Sequence, residues 1–137
     1  MTNSPLQLPE DERRKLSGPG LRTFERIADV WNLTEQQRCS ILGLDGPAYF
    51  RSLQAVMHGA NDEGVALGQA VLERISHILG IFKAINILMP VPERADEWMR
   101  KSNSAPGLEG RSAIDLIANG NLSDLAFLRT YLQSHLT

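Results

Sequence analysis

The sequence predicts an all-α protein, and three observations support that fold class. Aromatic residues make up only 6% of the 137-residue chain, and β-branched residues are sparse, which disfavours sheets. Apolar residues recur at spacings of three and four in most segments, as they do on one face of a helix. Capping residues and glycines divide these segments into units of helical length. A chain of this length can bury one core, or two very small ones, without a metal or a disulfide.

The N-terminal residues 1–17 are predicted to form a flexible arm. Pro5, Pro9 and a run of charged residues leave little apolar material there. The simpler interpretation is a solvated tail, and contact of its basic residues with phosphate or a protein partner is the alternative. Pro19 suits the first turn of a helix, so the first helix is expected to begin there and to end near Trp31.

Two short helices are predicted to follow within residues 18–60. Thr34 and Gln37 form a capping box at the start of the first, and Gly43 suits its left-handed end. Asp45 can cap the second helix. Two short helices joined by a tight turn have the layout of a helix-turn-helix, although many small helical bundles share it. The residues that would face DNA lie near the start of the second short helix: Tyr49, Arg51, Ser52 and Gln54.

The longest apolar run extends from Val65 to Met89 and is expected to form a connecting helix within residues 61–90. If continuous, it would be roughly 37 Å long at ~1.5 Å per residue. Its polar positions form one narrow stripe, so we predict a core helix whose remaining apolar surface joins two chains in a homodimer. Charges inside the run argue against a membrane span. At Gly80, either another backbone approaches or the helix breaks.

The C-terminal part is predicted to contain three short helices and one glycine-rich loop. Two prolines end the connecting helix, and the next helix carries Trp98 and is closed by Asn103. The loop SAPGLEG follows. Ser112 and the acidic residue three positions later form a second capping box. Gly120 ends that short helix and Asn121 caps the last one, whose leucines form a regular apolar face.

Composition and motif searches argue against several classes of function. A net charge of −2 argues against general polyanion binding. Cys39 is interpreted as a small core residue, and the absence of a basic, apolar leader indicates a cytoplasmic protein. The three histidines lack companions at metal-ligand spacing, so we expect no metal and no cofactor. No nucleophile, base and oxyanion donor can be assembled, so we expect no enzyme. The histidines are His58, His77 and His135.

The order of motifs resembles one known family. The C-terminal residues that carry the pattern are Trp98, Asn103, Leu108, Gly110, Ser112, Ala113, Asp115, Gly120, Leu128 and Leu132. This pattern is similar to the toxin-binding domain of the Xre/MbcA/ParS antitoxin family. Upstream, WNLTEQQRCSILGL followed by AYFRS resembles the Xre-like helix-turn-helix of that family, and RISHILGIFKAINILMP resembles its connecting helix. The resemblance covers roughly residues 16–136.

This resemblance implies an antitoxin that neutralises a RES-type toxin, which consumes NAD or transfers ADP-ribose. Homodimerisation, a higher-order complex with the toxin and binding of operator DNA are implied as well. Residues 91–137 would then be the toxin-binding domain, offering an apolar patch rimmed by charge. A helix-turn-helix transcriptional regulator without a toxin is the alternative. The expected toxin-binding residues are Asn103, Leu108, Arg111, Arg129 and Tyr131.

Overall fold

A computed structural model describes residues 8–58 and 66–136 of the chain. Over these residues it contains seven α-helices and no strand, so the all-α prediction is confirmed. Predictions about residues 1–7, 59–65 and 137 lie outside the described residues. The helices are α1 (Glu10–Val30), α2 (Glu35–Leu42), α3 (Gly46–His58), α4 (Gln69–Leu88), α5 (Pro92–Arg100), α6 (Ala113–Ala118) and α7 (Leu122–Ser134).

Helix α1 begins at Glu10, nine residues before the predicted start at Pro19. Acidic residues in its first turn suit the positive end of the helix dipole. The buried Ser17 hydroxyl donates to the Arg13 carbonyl (2.6 Å) and accepts from the Leu67 amide (2.8 Å). The Arg13 guanidinium also donates to the Leu67 carbonyl (2.9 Å). Assigning residues 10–17 to a flexible arm was therefore wrong, because long-range contacts hold them against the start of α4.

Helices α2 and α3 begin at the predicted caps. The Thr34 hydroxyl accepts from the Gln37 amide (3.1 Å), and the Gln37 side chain accepts from the Thr34 amide (2.9 Å). Gly43 ends α2 in the left-handed conformation, with φ of +73°. The Asp45 carboxylate accepts from the Ala48 amide at 2.7 Å. These caps and this turn are confirmed, and the DNA-binding role of the layout stays a prediction.

Helix α4 starts at Gln69 and is continuous through Gly80. Both predicted explanations of Gly80 were wrong, because the Arg129 side chain lies over it and a Cβ there would overlap the guanidinium. Helix α1 packs along α4, and so does α7. The predicted uncovered apolar face is therefore mostly covered within the chain, although Ile87 stays 53% exposed.

The turn between α6 and α7 is built from polar side chains. The Ser112 hydroxyl accepts from the Asp115 amide (3.0 Å), which confirms the N-cap of α6. Asn121 is the N-cap residue of α7, but its side chain accepts no capping hydrogen bond. Instead Asn119 holds the turn: its side chain accepts from the Asn121 amide (2.8 Å) and donates to the Asp124 carboxylate (2.7 Å).

The buried apolar side chains form one core, to which all seven helices contribute. Trp31, the C-cap residue of α1, packs against Phe82 from α4, with ring centroids 6.0 Å apart. Helix α2 also contacts α6 directly. The segments predicted as separate domains therefore share one hydrophobic core rather than having a core each. Among the described helices, none is both long and apolar enough to cross a membrane.

Candidate functional site

The first candidate surface lies on α3, where four DNA-contacting residues were predicted. Tyr49 is 4% exposed, and its hydroxyl donates to the Glu25 carboxylate on α1 at 2.5 Å. Tyr49 therefore faces the core and cannot contact DNA in this structure, so that prediction was wrong. Burial and the bond to Glu25 raise the pKa of the Tyr49 hydroxyl well above its usual range.

Glu25 is the centre of a buried polar network that joins the first three helices. It is 7% exposed and accepts from the Arg38 guanidinium at 2.7 Å. Arg38 also donates to the Asp29 carboxylate (2.9 Å) and to the Leu33 carbonyl (3.1 Å). Burial lowers the pKa of Arg38, but its hydrogen bonds to Asp29 and Glu25 outweigh that effect and raise it. The network fixes the positions of α1, α2 and α3.

The network escaped the sequence analysis, although one signal was present. Glu25 lies four residues after Leu21 and three before Ala28, both fully buried, so the helical period places a carboxylate on the core face of α1. A buried carboxylate needs a partner, because a lone buried charge is costly. A search for a cation on a neighbouring helix would have selected Arg38.

The remaining predicted DNA-contacting residues lie outside the core. Arg51 and Gln54 are exposed, and Ser52 is half-buried. On the same helix Phe50 is 59% exposed and Met57 is 49% exposed. The outer face of α3 therefore combines one cation with polar and apolar side chains.

The second candidate surface begins at a closed loop over residues 102–112. Ser102 and Ser112 pair in an antiparallel bridge. The Asn103 amide donates to the Arg111 carbonyl (3.1 Å), and the Asn103 carbonyl accepts from the Gly110 amide (2.8 Å). The Asn103 side chain accepts from the Ala105 amide (2.9 Å). Asn103 was predicted to close α5, but α5 ends at Arg100 and Asn103 holds the loop in shape. Its predicted contact with a toxin stays a prediction.

Leu108 anchors this loop in the core. It is fully buried, so its prediction as a surface residue of the toxin-binding patch was wrong. Gly107 has φ of +93°, and a Cβ there would overlap the Phe127 ring. The backbone hydrogen bonds of the loop lie mostly within the loop itself. Burial of Leu108 and the contact of Gly107 with Phe127 therefore attach the loop to the rest of the chain.

Arg111 is the predicted toxin-binding residue that the loop presents to solvent. It is exposed, and its guanidinium donates to the carbonyls of Leu108 and Gly107, each at 3.3 Å. A guanidinium carries five N–H donors, so these contacts orient the group and leave donors for a carboxylate or phosphate.

Arg129 was predicted to be exposed but is half-buried. It crosses α4 above Gly80 and donates to the carbonyl and hydroxyl of Ser76 at 3.3 and 3.4 Å. The glycine leaves space for the side chain, which explains why the arginine lies flat against α4. Burial lowers the pKa of the nearby His77, and the charge of Arg129 lowers it further.

Tyr131 belongs to a row of rings along α7, which we call the aromatic row: Phe127, Tyr131 and His135. Tyr131 stacks on Phe127 (centroids 6.1 Å apart) and contacts His135 edge-on (4.8 Å). The row starts at the closed loop and ends at an apolar pocket of about 430 Å³ that also contains Trp98. The sequence analysis missed Phe127 and His135, although their spacing of four and four from Tyr131 places all three on one helix face.

The arrangement suits recognition of another protein. An apolar pocket, exposed aromatic rings and an exposed arginine are features of protein interfaces. Within the described part of the chain, no group of three or more metal-ligating side chains could hold an ion. Cys39 is half-buried, and burial raises the pKa of its thiol.

Comparison with known proteins identifies a relative of this chain. The chain is 36% identical over 114 residues to the uncharacterized protein y4oB of Sinorhizobium fredii, an alignment that covers 83% of this chain and 81% of that protein. No family model matches the chain. No solved structure matches it at a significant level.

Proposed function

Because the chain belongs to the same family as the uncharacterized protein y4oB of Sinorhizobium fredii, whose name states no activity, we propose a function from its own residues. The chain is the antitoxin of a type II toxin–antitoxin system, and it binds and neutralises a RES-type toxin that consumes NAD or transfers ADP-ribose. The motif order that resembles the Xre/MbcA/ParS family supports this proposal. The observation that carries it is the closed loop beside the aromatic row.

The closed loop supports protein binding because its shape is set before a partner arrives. Asn103 holds the loop by hydrogen bonds, and Leu108 holds it by burial in the core. A preorganised loop loses little conformational freedom on binding, so more of the interaction energy contributes to affinity. Arg111 at its rim and the aromatic row beside it supply the charged and apolar contacts that hot spots use.

Neutralisation needs no chemistry by this chain. Arg111 can pair with a carboxylate of the toxin or reach into a site that otherwise holds an anionic nucleotide. Occupying that site would stop the toxin by steric exclusion. The partner class is therefore a protein whose active site binds nucleotide phosphates.

Operator binding is the second part of the proposal. The capped α2–α3 unit and the exposed Arg51 and Gln54 support contact with DNA. A regulator that acts without a toxin, in the cytoplasm and as a homodimer, is the second candidate, and the same α2–α3 unit favours it. A gene for a RES-domain protein beside the coding gene favours the antitoxin, and its absence favours the regulator.

Co-purification from the native operon tests the proposal. A RES-domain protein should elute with tagged wild-type chain in a fixed ratio, and Arg111→Glu should reduce its recovery by well over tenfold, because a reversed charge at a complementary interface costs several kcal/mol. Arg51→Glu is the matched control, with the same charge change on α3, and should retain the partner. Elution of wild-type chain without any RES-domain protein would contradict the antitoxin proposal.

A further inference from the structure

Arg74 on α4 contacts two places that are far apart in the sequence: the end of α2 and the α6–α7 turn. Arg74 donates to the carbonyl of Gly120, in the α6–α7 turn, at 2.6 Å. It also donates to the carbonyl of Ile41, in the last turn of α2, at 3.2 Å. Its side chain lies against Gly43, where an added Cβ would be 3.1 Å from the guanidinium Nε. A single side chain therefore joins the end of α2 to the α6–α7 turn.

The two turns also touch directly. Gly120 has φ of +85°, and an added Cβ would lie 2.9 Å from the Ser40 carbonyl oxygen in α2. Backbone thus packs on backbone at this point, with no side chain between. The position of α2 depends on the shape of a turn that belongs to the C-terminal half.

Helix α2 depends on such external contacts for its stability. It has eight residues, and only Ile41 and Leu42 among them are buried. Isolated helices this short are marginal in water, so tertiary docking supplies most of the stability of α2. Elements with few buried contacts open locally at a lower free-energy cost than the rest of a protein. Helix α2 therefore relies on its contacts with the rest of the chain for most of its stability.

We propose that Arg74 couples the docking of α2 to the order of the α6–α7 turn. When the turn is ordered, the Gly120 carbonyl holds the guanidinium where it also binds the end of α2. When the turn loosens, that orientation is lost and α2 undocks more often. A partner that orders the C-terminal half then stabilises the α2–α3 unit, and a ligand on α3 stabilises the C-terminal turn by the same factor. The inference needs neither a toxin nor DNA to be correct.

Native-state hydrogen exchange on the full chain tests the coupling through a double-mutant cycle. Asn119→Ala loosens the α6–α7 turn, because Asn119 holds it through Asn121 and Asp124. In the wild-type background it should accelerate exchange of the α2 amides by about fivefold, the low end of typical couplings between sites. In the Arg74→Met background the same substitution should leave α2 exchange nearly unchanged.

Controls separate coupling from general loss of stability. Gln133→Ala, an exposed change on α7, should leave α2 exchange at the wild-type rate. If Arg74→Met does not fold, Arg74→Gln replaces it in the cycle, because Gln keeps a polar side chain but lacks the Nη1 atom that donates to both carbonyls. Equal effects of Asn119→Ala in both backgrounds, or acceleration confined to the α6–α7 turn, would overturn the proposal.

Discussion

At the scale of single residues, polar side chains decide how the first three helices meet. Glu25 accepts from both Arg38 and Tyr49, so a carboxylate on one helix fixes the other two. A buried ion pair is not strong evidence for stability in itself, but removal of one partner leaves an uncompensated charge. The arrangement specifies one packing of α1, α2 and α3 out of the several that apolar contacts would allow.

Removal of the Arg38 charge should therefore be costly. Arg38→Met leaves Glu25 buried without its cation, and the free energy of unfolding should fall by about 3–5 kcal/mol. Lys101→Met is the control, because the Lys101–Glu97 pair is exposed and such pairs contribute about 0–1 kcal/mol. Urea denaturation measures both. Equal losses for the two variants would show that the network does not stabilise the fold.

His77 should make stability fall in mild acid. Its pKa is lowered from 6.5 by burial and by Arg129, while Glu73 opposes the shift, so the unfolded chain binds the proton more readily than the folded chain. The contribution of His77 is present above the unfolded pKa and is lost as pH falls through it. Urea midpoints between about pH 8 and about pH 5 should decline less for His77→Gln than for wild type. An equal decline for His77→Gln and wild type would contradict this role of His77.

Residue identities could be predicted from the sequence where the signal is local. Thr34, Asp45 and Ser112 were recognised as caps, because each cap satisfies backbone groups within three residues of itself. Tyr49 and Leu108 were misplaced because their burial depends on side chains far along the chain. Arg111 was predicted to be exposed on the loop, and the structure shows it exposed there.

At the scale of helices, α4 is the element on which the fold is organised. Helices α1 and α7 pack along it. Gly80 does not break the helix; it leaves space for the Arg129 side chain, and Arg74 of α4 lies against Gly43. The apolar periodicity predicted this helix and its role as a core element. Its partners could not be predicted in the same way, since the start of α1 is set by contacts of Ser17 and Arg13 with Leu67, some fifty residues away.

Gly120 should tolerate no side chain. Gly120→Ala combines a left-handed backbone conformation, which costs an L residue roughly 1–2 kcal/mol, with a close approach to the Ser40 carbonyl. The free energy of unfolding should fall by at least that amount. Gly46→Ala is the control: nothing lies within 4 Å of its added Cβ, so stability should be unchanged or slightly higher. A neutral Gly120→Ala variant would mean that the contact between α2 and the α6–α7 turn is loose.

At the scale of the whole molecule, one core supports two surfaces. The largest exposed apolar side chains are distributed over several helices, with Phe50 and Met57 on α3, Ile87 on α4 and Phe127 on α7. A small chain that exposes this many large apolar groups is suited to association with other chains. The division into domains was predicted from the order of the motifs. The shared core could not be predicted in this way, because it depends on contacts between α2 and α6, which are far apart in the sequence.

Self-association is the first prediction at this scale. Light scattering at tens of micromolar should give twice the chain mass of 15.2 kDa. Because the connecting helix is the predicted dimer element, Ile87→Asp should shift the protein towards monomer, and Phe50→Asp, with a similar exposed apolar group on α3, should not. A monomeric mass for the wild-type protein at that concentration would contradict the homodimer.

The central claim is that the C-terminal half neutralises a toxin, and growth rescue tests it most directly. Cells that express the RES-domain toxin should grow when wild-type chain is co-expressed. Rescue should be lost with Arg111→Glu, whose side chain lies on the exposed rim of the closed loop, and retained with Arg51→Glu on α3. Arg129→Glu is not used, because its half-buried position over Gly80 would mix folding with binding. Rescue by Arg111→Glu together with failure of Arg51→Glu would contradict the account and assign toxin binding to the N-terminal half.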